Sequence, residues 1–593
     1  NNGVYLNNAG YIKSTGNGNI TVTGATFGGS FSGTTTNLGV YVSGTDSCIW
    51  SNNGDVIVAG TGGNGSTTGN NGVYVISGGA IKSTGLGNVT VTGNAGTTGT
   101  TSNVGVYVNL ADAVISTVAG DVAVTGTGYG SGGSNYGVIV NNGGYIGITA
   151  SGAGAVSVTG TGGGASSSPG VAIITTPSKI ASYSGAITII GTGTANDAGA
   201  YGYTQNANAE VSATSGNIEI TASVANNATT VAFYTEAAAI LGGSSFTGDL
   251  TIKADRVNLA GTFSANAAST GTLLIKPYAA SRSMLIAHAD DASYLTITTG
   301  GLGQLSTNYD YWTFGTENTN TGTATLSAYD YSGTADNITV HAGVIYVTAS
   351  QTMGAKNLWL YGNANAQMSS SICGVYFRNS TTASTSGNIT VVGHGGNAAG
   401  NHGIVVQNSG GIGIITTATG AITLTGVGGS SGSNCYGVLV TNSGVKVEST
   451  GAGSITINGT GGSSGDSNHG FFLSDAAAIV SSSSGDISLT GTAGAGAASV
   501  DISTATGCII GDAAGSGDYT LNCNTLTLSG TLQSDGILII RPRTAATSIG
   551  LGDSASGTLN LTDAEIANIQ TDFSDVRFGI ETTGAHTIEV DGA

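Results

Sequence analysis

Proline and charge are both scarce in this chain, with 4 prolines and 8% charged residues among 593. Glycine is abundant, at 102 residues, but follows no strict three-residue period, which excludes a collagen helix. Low charge beside plentiful Val, Ile and Leu argues against disorder. No run of about 18 or more apolar residues occurs, so no segment is expected to span a membrane. Basic residues are few, 13 against 32 acidic, for a net charge of −19. Nucleic acids and anionic lipid surfaces need basic patches and are therefore disfavoured as partners. Weak binding of a divalent cation is compatible with that balance, and ordinary solubility explains it. Cysteine is odd in number, at five, with no CxxC or zinc-like spacing. Cys48, Cys373, Cys435, Cys508 and Cys523 read as small buried hydrophobes, and Cys508–Cys523 is the least implausible disulfide.

What the chain has instead is a recurring motif. Gly72-Val73-Tyr74-Val75 is followed by Ala80-Ile81-Lys82-Ser83 and then by Asn88-Val89-Thr90-Val91-Thr92-Gly93. Close copies begin at Gly3, Gly39, Gly105, Gly137 and Gly170, and again at Gly374, Gly403, Gly437 and Gly470. Successive starts differ by 36, 33, 33, 32 and 33 residues in the first set and by 29, 34 and 33 in the second. A period in this range is the signature of a solenoid, whose core grows along one axis and so escapes the usual limit on domain length. Antiparallel hairpins would give no reason for a constant period. A parallel β-helix of about 33 residues per coil does, because every strand then pairs with its equivalent about 4.8 Å away.

Alternation assigns the faces. In Val73-Tyr74-Val75 the two valines share one side and the tyrosine the other, and in Val89-Thr90-Val91-Thr92 the valines point in and the hydroxyls out. Equivalent side chains then stack into columns. Tyr5, Tyr41, Tyr74 and Tyr107 form an outward aromatic column that breaks at Ile139 and Ala172. Asn19, Asn88, Asn217 and Asn388, with Asp55, Asp121 and Asp486, form a polar column at the turn before the third strand. There Gly-Asn and Gly-Asp are expected to supply left-handed backbone. The Gly/Ser/Thr stretches at 61–70 and 128–135 are expected to be variable loops ejected on one edge.

A second texture, bulkier and more charged, begins at Asp249. Residues 292–315 align without gaps on 556–579, at an offset of 264. The sequence thus divides into array 1 (1–248), module 1 (249–331), array 2 (332–517) and module 2 (518–593). Thr562, with Glu565 three residues on, is an expected helix N-cap. Both ends of the sequence lie within the pattern, so a removed leader or a longer chain is expected. About 18 coils would make a rod near 90 Å, with end-to-end or lateral self-association as the natural way to cover its open strand edges.

The coil GVYV…IKSTG…NITVTGTGG and the module GTLNLTDAEIANIQ…FG…TIEV resemble giant bacterial surface proteins with β-strand repeats, similar to adhesins of the filamentous-haemagglutinin type. The resemblance spans essentially the whole chain. It implies a right-handed parallel β-helix exported to the cell surface, acting without catalysis as an extracellular stalk, adhesin or fibre. A host or neighbouring cell surface, or a polysaccharide, would then be the partner.

Several residues invite a chemical reading. The tyrosine column would suit sugar rings or a neighbouring fibre, although self-stacking explains it equally. Thr-x-Thr pairs such as Thr21/Thr23 and Thr90/Thr92 resemble an ice-binding face, but Ala123, Ser157 and Glu219 interrupt it. A β-helix polysaccharide lyase would need clustered Asp beside an Arg or Lys, and Arg256, Arg282, Arg378, Arg541, Arg543 and Arg577 are scattered. No catalytic residue and no cofactor is assigned. Asp572, Asp575 and Glu581 are weak calcium candidates. His394 and His402 bracket a Gly/Asn loop and are expected to be solvated.

Overall fold

The computed structural model describes residues 1–593 except 27–35, 67, 165, 195–198, 226–228, 318–320, 335–336, 364–372, 409–411, 417, 580–586 and 592–593. It is all-β apart from two four-residue helices, and its strands pair in parallel as a β-solenoid. The chain divides into two compact units, residues 1–282 with 289–312 and residues 283–288 with 313–593.

In the first unit each turn supplies three strands; the first and second strands each build a nine-stranded sheet, and the third strands build a third sheet beside them. The first strand of a turn pairs with the first strand of the next without slippage: Val4 with Val40, Val40 with Val73, Val73 with Val106, Val106 with Val138, and Val138 with Val171. The third strand behaves alike, from Val56 through Val89, Val122 and Val156 to Ile187. A one-residue slip would turn every valine outward, so the apolar columns lock the register. Val73, Val75, Ile81, Val89 and Val91 have no exposed surface at all. Burying such a side chain contributes about 1.5–3 kcal/mol, and each turn repeats the gain.

The second unit has eight complete turns of the same kind, from Thr323–Leu326 to Ile537–Arg541. The step between equivalent first strands is 33 residues from Val438 to Phe471, but 24 from Ile502 to Leu526 and 21 from Ala324 to Ile345. The first unit shortens in the same way, to 24 residues from Phe233 to Val257. The variable part is the link from a third strand to the next first strand: it occupies 62–72 in one turn and only 254–256 in another. That link lies outside the apolar columns, so its length is free while the strands are fixed.

Pairing continues across the expected module boundaries. Ile218 pairs with Leu250, Tyr329 with Gln351, and Ile487 with Tyr519. The change of texture marks a shorter turn rather than a break in the stack. The two modules also match in structure: helices Thr299–Leu302 and Asp563–Ile566 lie 264 residues apart, capped by Thr298 and Thr562. At the second, the Thr562 side chain accepts from the Glu565 N–H while the Glu565 carboxylate accepts from the Thr562 N–H, closing the expected capping box. All five cysteines are free, and Cys435, Cys508 and Cys523 are buried; no disulfide joins Cys508 to Cys523.

One expectation fails for a clear reason. The glycines before the third strand are not left-handed; positive φ falls instead at the turn after the first strand, at Asp46, Ser77, Asp112, Asn142 and Thr175. Gly54, Gly87, Gly120 and Gly154 form a column whose backbones touch from turn to turn. A Cβ on Gly87 would lie 2.0 Å from the Gly54 carbonyl oxygen, and one on Gly120 2.4 Å from that of Gly87. Gly87→Ala is therefore expected to cost about 3 kcal/mol or more in urea unfolding. Gly16→Ala, in open space, should stay within about 0.5 kcal/mol of the parent chain.

Candidate functional site

The tyrosine column is real and stacks on itself. Ring centroids of Tyr5 and Tyr41 are 5.0 Å apart, those of Tyr41 and Tyr74 5.4 Å, and those of Tyr74 and Tyr107 4.7 Å, with interplanar angles of 4–20°. Side-chain amides hold the hydroxyls: Asn7 donates to Tyr5, Asn109 to Tyr74 and Asn141 to Tyr107. Burial pushes the Tyr74 phenol up to about 12. The column stops where Ile139 and Ala172 replace tyrosine, because there Val104 and Tyr136 pack over the outer face of the first strand. Only Tyr5 is substantially open, at 50% exposure.

The asparagine column works as a rail of side chains holding the next turn's backbone. Asn19 accepts from the Asp55 N–H at 2.8 Å, Asp55 from Asn88 at 2.9 Å, Asn88 from Asp121 at 2.8 Å, and Asp121 from Ala155 at 2.8 Å. In the second unit Asn357 accepts from Asn388, and Asn388 from Ala421. Asn and Asp interchange because each presents the same carbonyl-type oxygen.

A second asparagine ladder, inside the fold, escaped the sequence reading. Asn37 donates to Asn70, Asn70 to Asn103 and Asn103 to Asn135, at 2.9, 2.9 and 3.3 Å, and the backbone of Asn135 donates to Ser168. Asn70 and Asn135 are fully buried. The stretches 61–70 and 128–135 are thus anchored at their ends rather than simply ejected. The signal lay in Asn70, Asn103 and Asn135, which stand two residues before Gly72, Gly105 and Gly137.

In the second unit the same corner carries aromatic stacking. His402 lies 4.8 Å from Tyr436, which lies 5.3 Å from His469, with the rings nearly parallel. Nδ1 of His402 accepts from the Tyr436 N–H and Nδ1 of His469 from the Val500 N–H. Burial pushes the His402 imidazole down to about 4 and lowers that of His469. The expectation that His402 is solvated is therefore corrected: it is a packed, neutral member of a ladder. His394 is exposed, as expected of a solvated residue, although partial desolvation lowers its imidazole.

The remaining candidates do not converge. Among the described residues no group of three or more His, Cys, Asp or Glu is placed to hold a metal ion. The Asp575 carboxylate sits 2.8 Å from the Arg577 guanidinium, Asp572 is exposed, and Glu581 lies outside the described residues. On the outer face of the third sheet Thr21, Ile57, Thr90, Ala123 and Ser157 succeed one another, so the hydroxyl ladder is broken. Among the described residues no helix is long and apolar enough to cross a membrane. The chain matches no family model, no curated protein and no solved structure with which it was compared.

The histidine ladder has a pH consequence. A histidine held at about 4 when folded and near 6.5 when unfolded binds more protons in the unfolded chain between those values. Its contribution is complete above about pH 6.5 and is lost as pH falls toward 4, amounting to about 3 kcal/mol. Urea midpoints measured from pH 7 to pH 4 should fall accordingly, and His402→Gln should flatten that slope.

Proposed function

We propose that the chain is a stiff, non-enzymatic segment of an extracellular stalk or surface fibre, of the filamentous-haemagglutinin-like adhesin kind that its repeats resemble. The observation that carries this reading is the like-over-like ladder. In each unit the Asn/Asp rail of one turn accepts from backbone N–H groups of the next, and aromatic rings stack on their equivalents. Such a chain can be lengthened turn by turn without changing its core, a property a stalk uses.

The second module carries an open strand. Its strand Ile588–Val590 pairs with Ile549–Leu551 in the register that joins Thr323–Leu326 to Met284–Ile286. Ala324 and Leu326 are fully buried, whereas Ile588 and Val590 are 47% and 66% exposed. A further turn laid on that strand would bury them. Another copy of the chain supplying such a turn would make the protein a structural filament or surface-layer subunit that assembles end to end.

Electron microscopy of the purified chain at neutral pH distinguishes the two. Ordered fibres formed without any cell or sugar surface favour the filament; single particles that adhere to cells or polysaccharide favour the adhesin. Degradation of a polysaccharide in the presence of Ca²⁺, abolished by an arginine substitution, would overturn both.

A further inference from the structure

Before residue 253, every basic residue of the first unit stands on the outer face of its second sheet. Lys13, Lys82 and Lys179 are the only basic residues that precede Lys253, against nine acidic residues over the same stretch (Asp46, Asp55, Asp112, Asp121, Asp197, Glu210, Glu219, Glu236 and Asp249). All three lysines stand on second strands, Tyr11–Ser14, Ala80–Ser83 and Lys179–Ala181. Their inward neighbours Ile81 and Ile180 are fully buried, so the lysines occupy the outward positions. Trp50 stands in register between Lys13 and Lys82, and Tyr11 and Tyr145 occupy the adjacent outward column.

Two hollows lie along this face. One, of about 570 Å³, is lined by Trp50 and Lys82 with Asp46, Asn52, Thr84 and Asp112. The other, of about 550 Å³, is lined by Tyr145, Tyr183, Ser182 and Ser212 and by the Lys179–Glu210 pair, whose Nζ and Oε1 are 2.8 Å apart. Tyr183 is 46% exposed. From Trp50 to Tyr145 is three strand spacings, about 14 Å.

Each hollow therefore combines an aromatic face with ammonium donors, carboxylate acceptors and hydroxyl or amide groups. Sugar hydroxyls both donate and accept, and so need both kinds of partner, while the apolar face of a pyranose ring lies on an aromatic side chain. A nucleic acid would need a cationic groove, and here each hollow brings carboxylates beside its lysine. We propose that the outer face of the second sheet binds an extended neutral polysaccharide of hexopyranose units. The chain would run along the stack, with rings on Trp50 and Tyr183 and hydroxyls bonded to Lys82, Asp46, Asp112 and the Lys179–Glu210 pair. A filament without ligand would fold and assemble just as well, so this proposal stands or falls apart from the fibre reading.

The test is affinity electrophoresis of the whole chain through native gels holding hydroxyethyl cellulose, galactomannan or, as the charged comparison, polygalacturonate. Retardation by a neutral polysaccharide is expected, weakened about tenfold by Trp50→Ala and by Tyr183→Ala, while Thr90→Ala on the third sheet leaves it unchanged. Both aromatic variants lie outside the apolar columns, and thermal melting checks their fold. Should Trp50→Ala melt early, Lys82→Ala serves in its place, with the same weakening expected. No retardation in any neutral gel, retardation by polygalacturonate alone, or retardation untouched in the aromatic and lysine variants would each overturn the proposal.

Discussion

The constraint on which everything else depends is the spacing between neighbouring parallel strands, about 4.8 Å. At that distance a residue's nearest neighbour is its own equivalent one turn away. Whatever stands at a position must tolerate a copy of itself above and below. Valine and isoleucine satisfy this by packing, asparagine by bonding to asparagine, and tyrosine by stacking. Glycine satisfies it where two backbones approach too closely for any Cβ, as along Gly54, Gly87 and Gly120. Charge satisfies it poorly, since like charges in register repel, and Lys253 beside Lys276 is an exception. The scarcity of charged residues follows from the fold.

The same constraint explains how much of the fold was legible. The strands, their register and the inward valines followed from the period and from alternation, because both repeat every turn. The tyrosine and outer asparagine columns were legible for that reason too. The break at Ile139 could be seen, but not its cause: Val104 and Tyr136 come from the link before the strand, and no local pattern says that the link folds back over it. The inner ladder of Asn70, Asn103 and Asn135 was hidden among Gly, Ser and Thr, whose composition reads as loop. His402 looked solvated for the same reason. Its burial depends on Tyr436, its equivalent a turn later. The glycines before the third strand were assigned to the right place for the wrong reason, since contact between turns, not φ, excludes a side chain there.

Function was less legible, and the physical reason is plain. A solenoid offers every turn the same outward positions, so a site appears only where the repeat is broken. The second sheet of the first unit is broken in this way, with lysine, tryptophan and tyrosine standing where neighbouring turns carry alanine, serine or valine. The ladders describe what holds the stack together, and the interruptions describe what the stack displays.

The stacking of like on like is tested most directly by engineered disulfides on the outer face of the third sheet. Thr90 and Ala123 are register partners in adjacent turns, whereas Thr90 and Ser157 are two turns apart. Disulfides need Cα atoms within about 4.4–6.8 Å, which one strand spacing meets and two do not. Mild oxidation should therefore cross-link the variant carrying Thr90→Cys with Ala123→Cys, as seen by peptide mass mapping, and leave Thr90→Cys with Ser157→Cys reduced. Cross-linking of the second pair in preference to the first would contradict the stacked register on which the whole account rests.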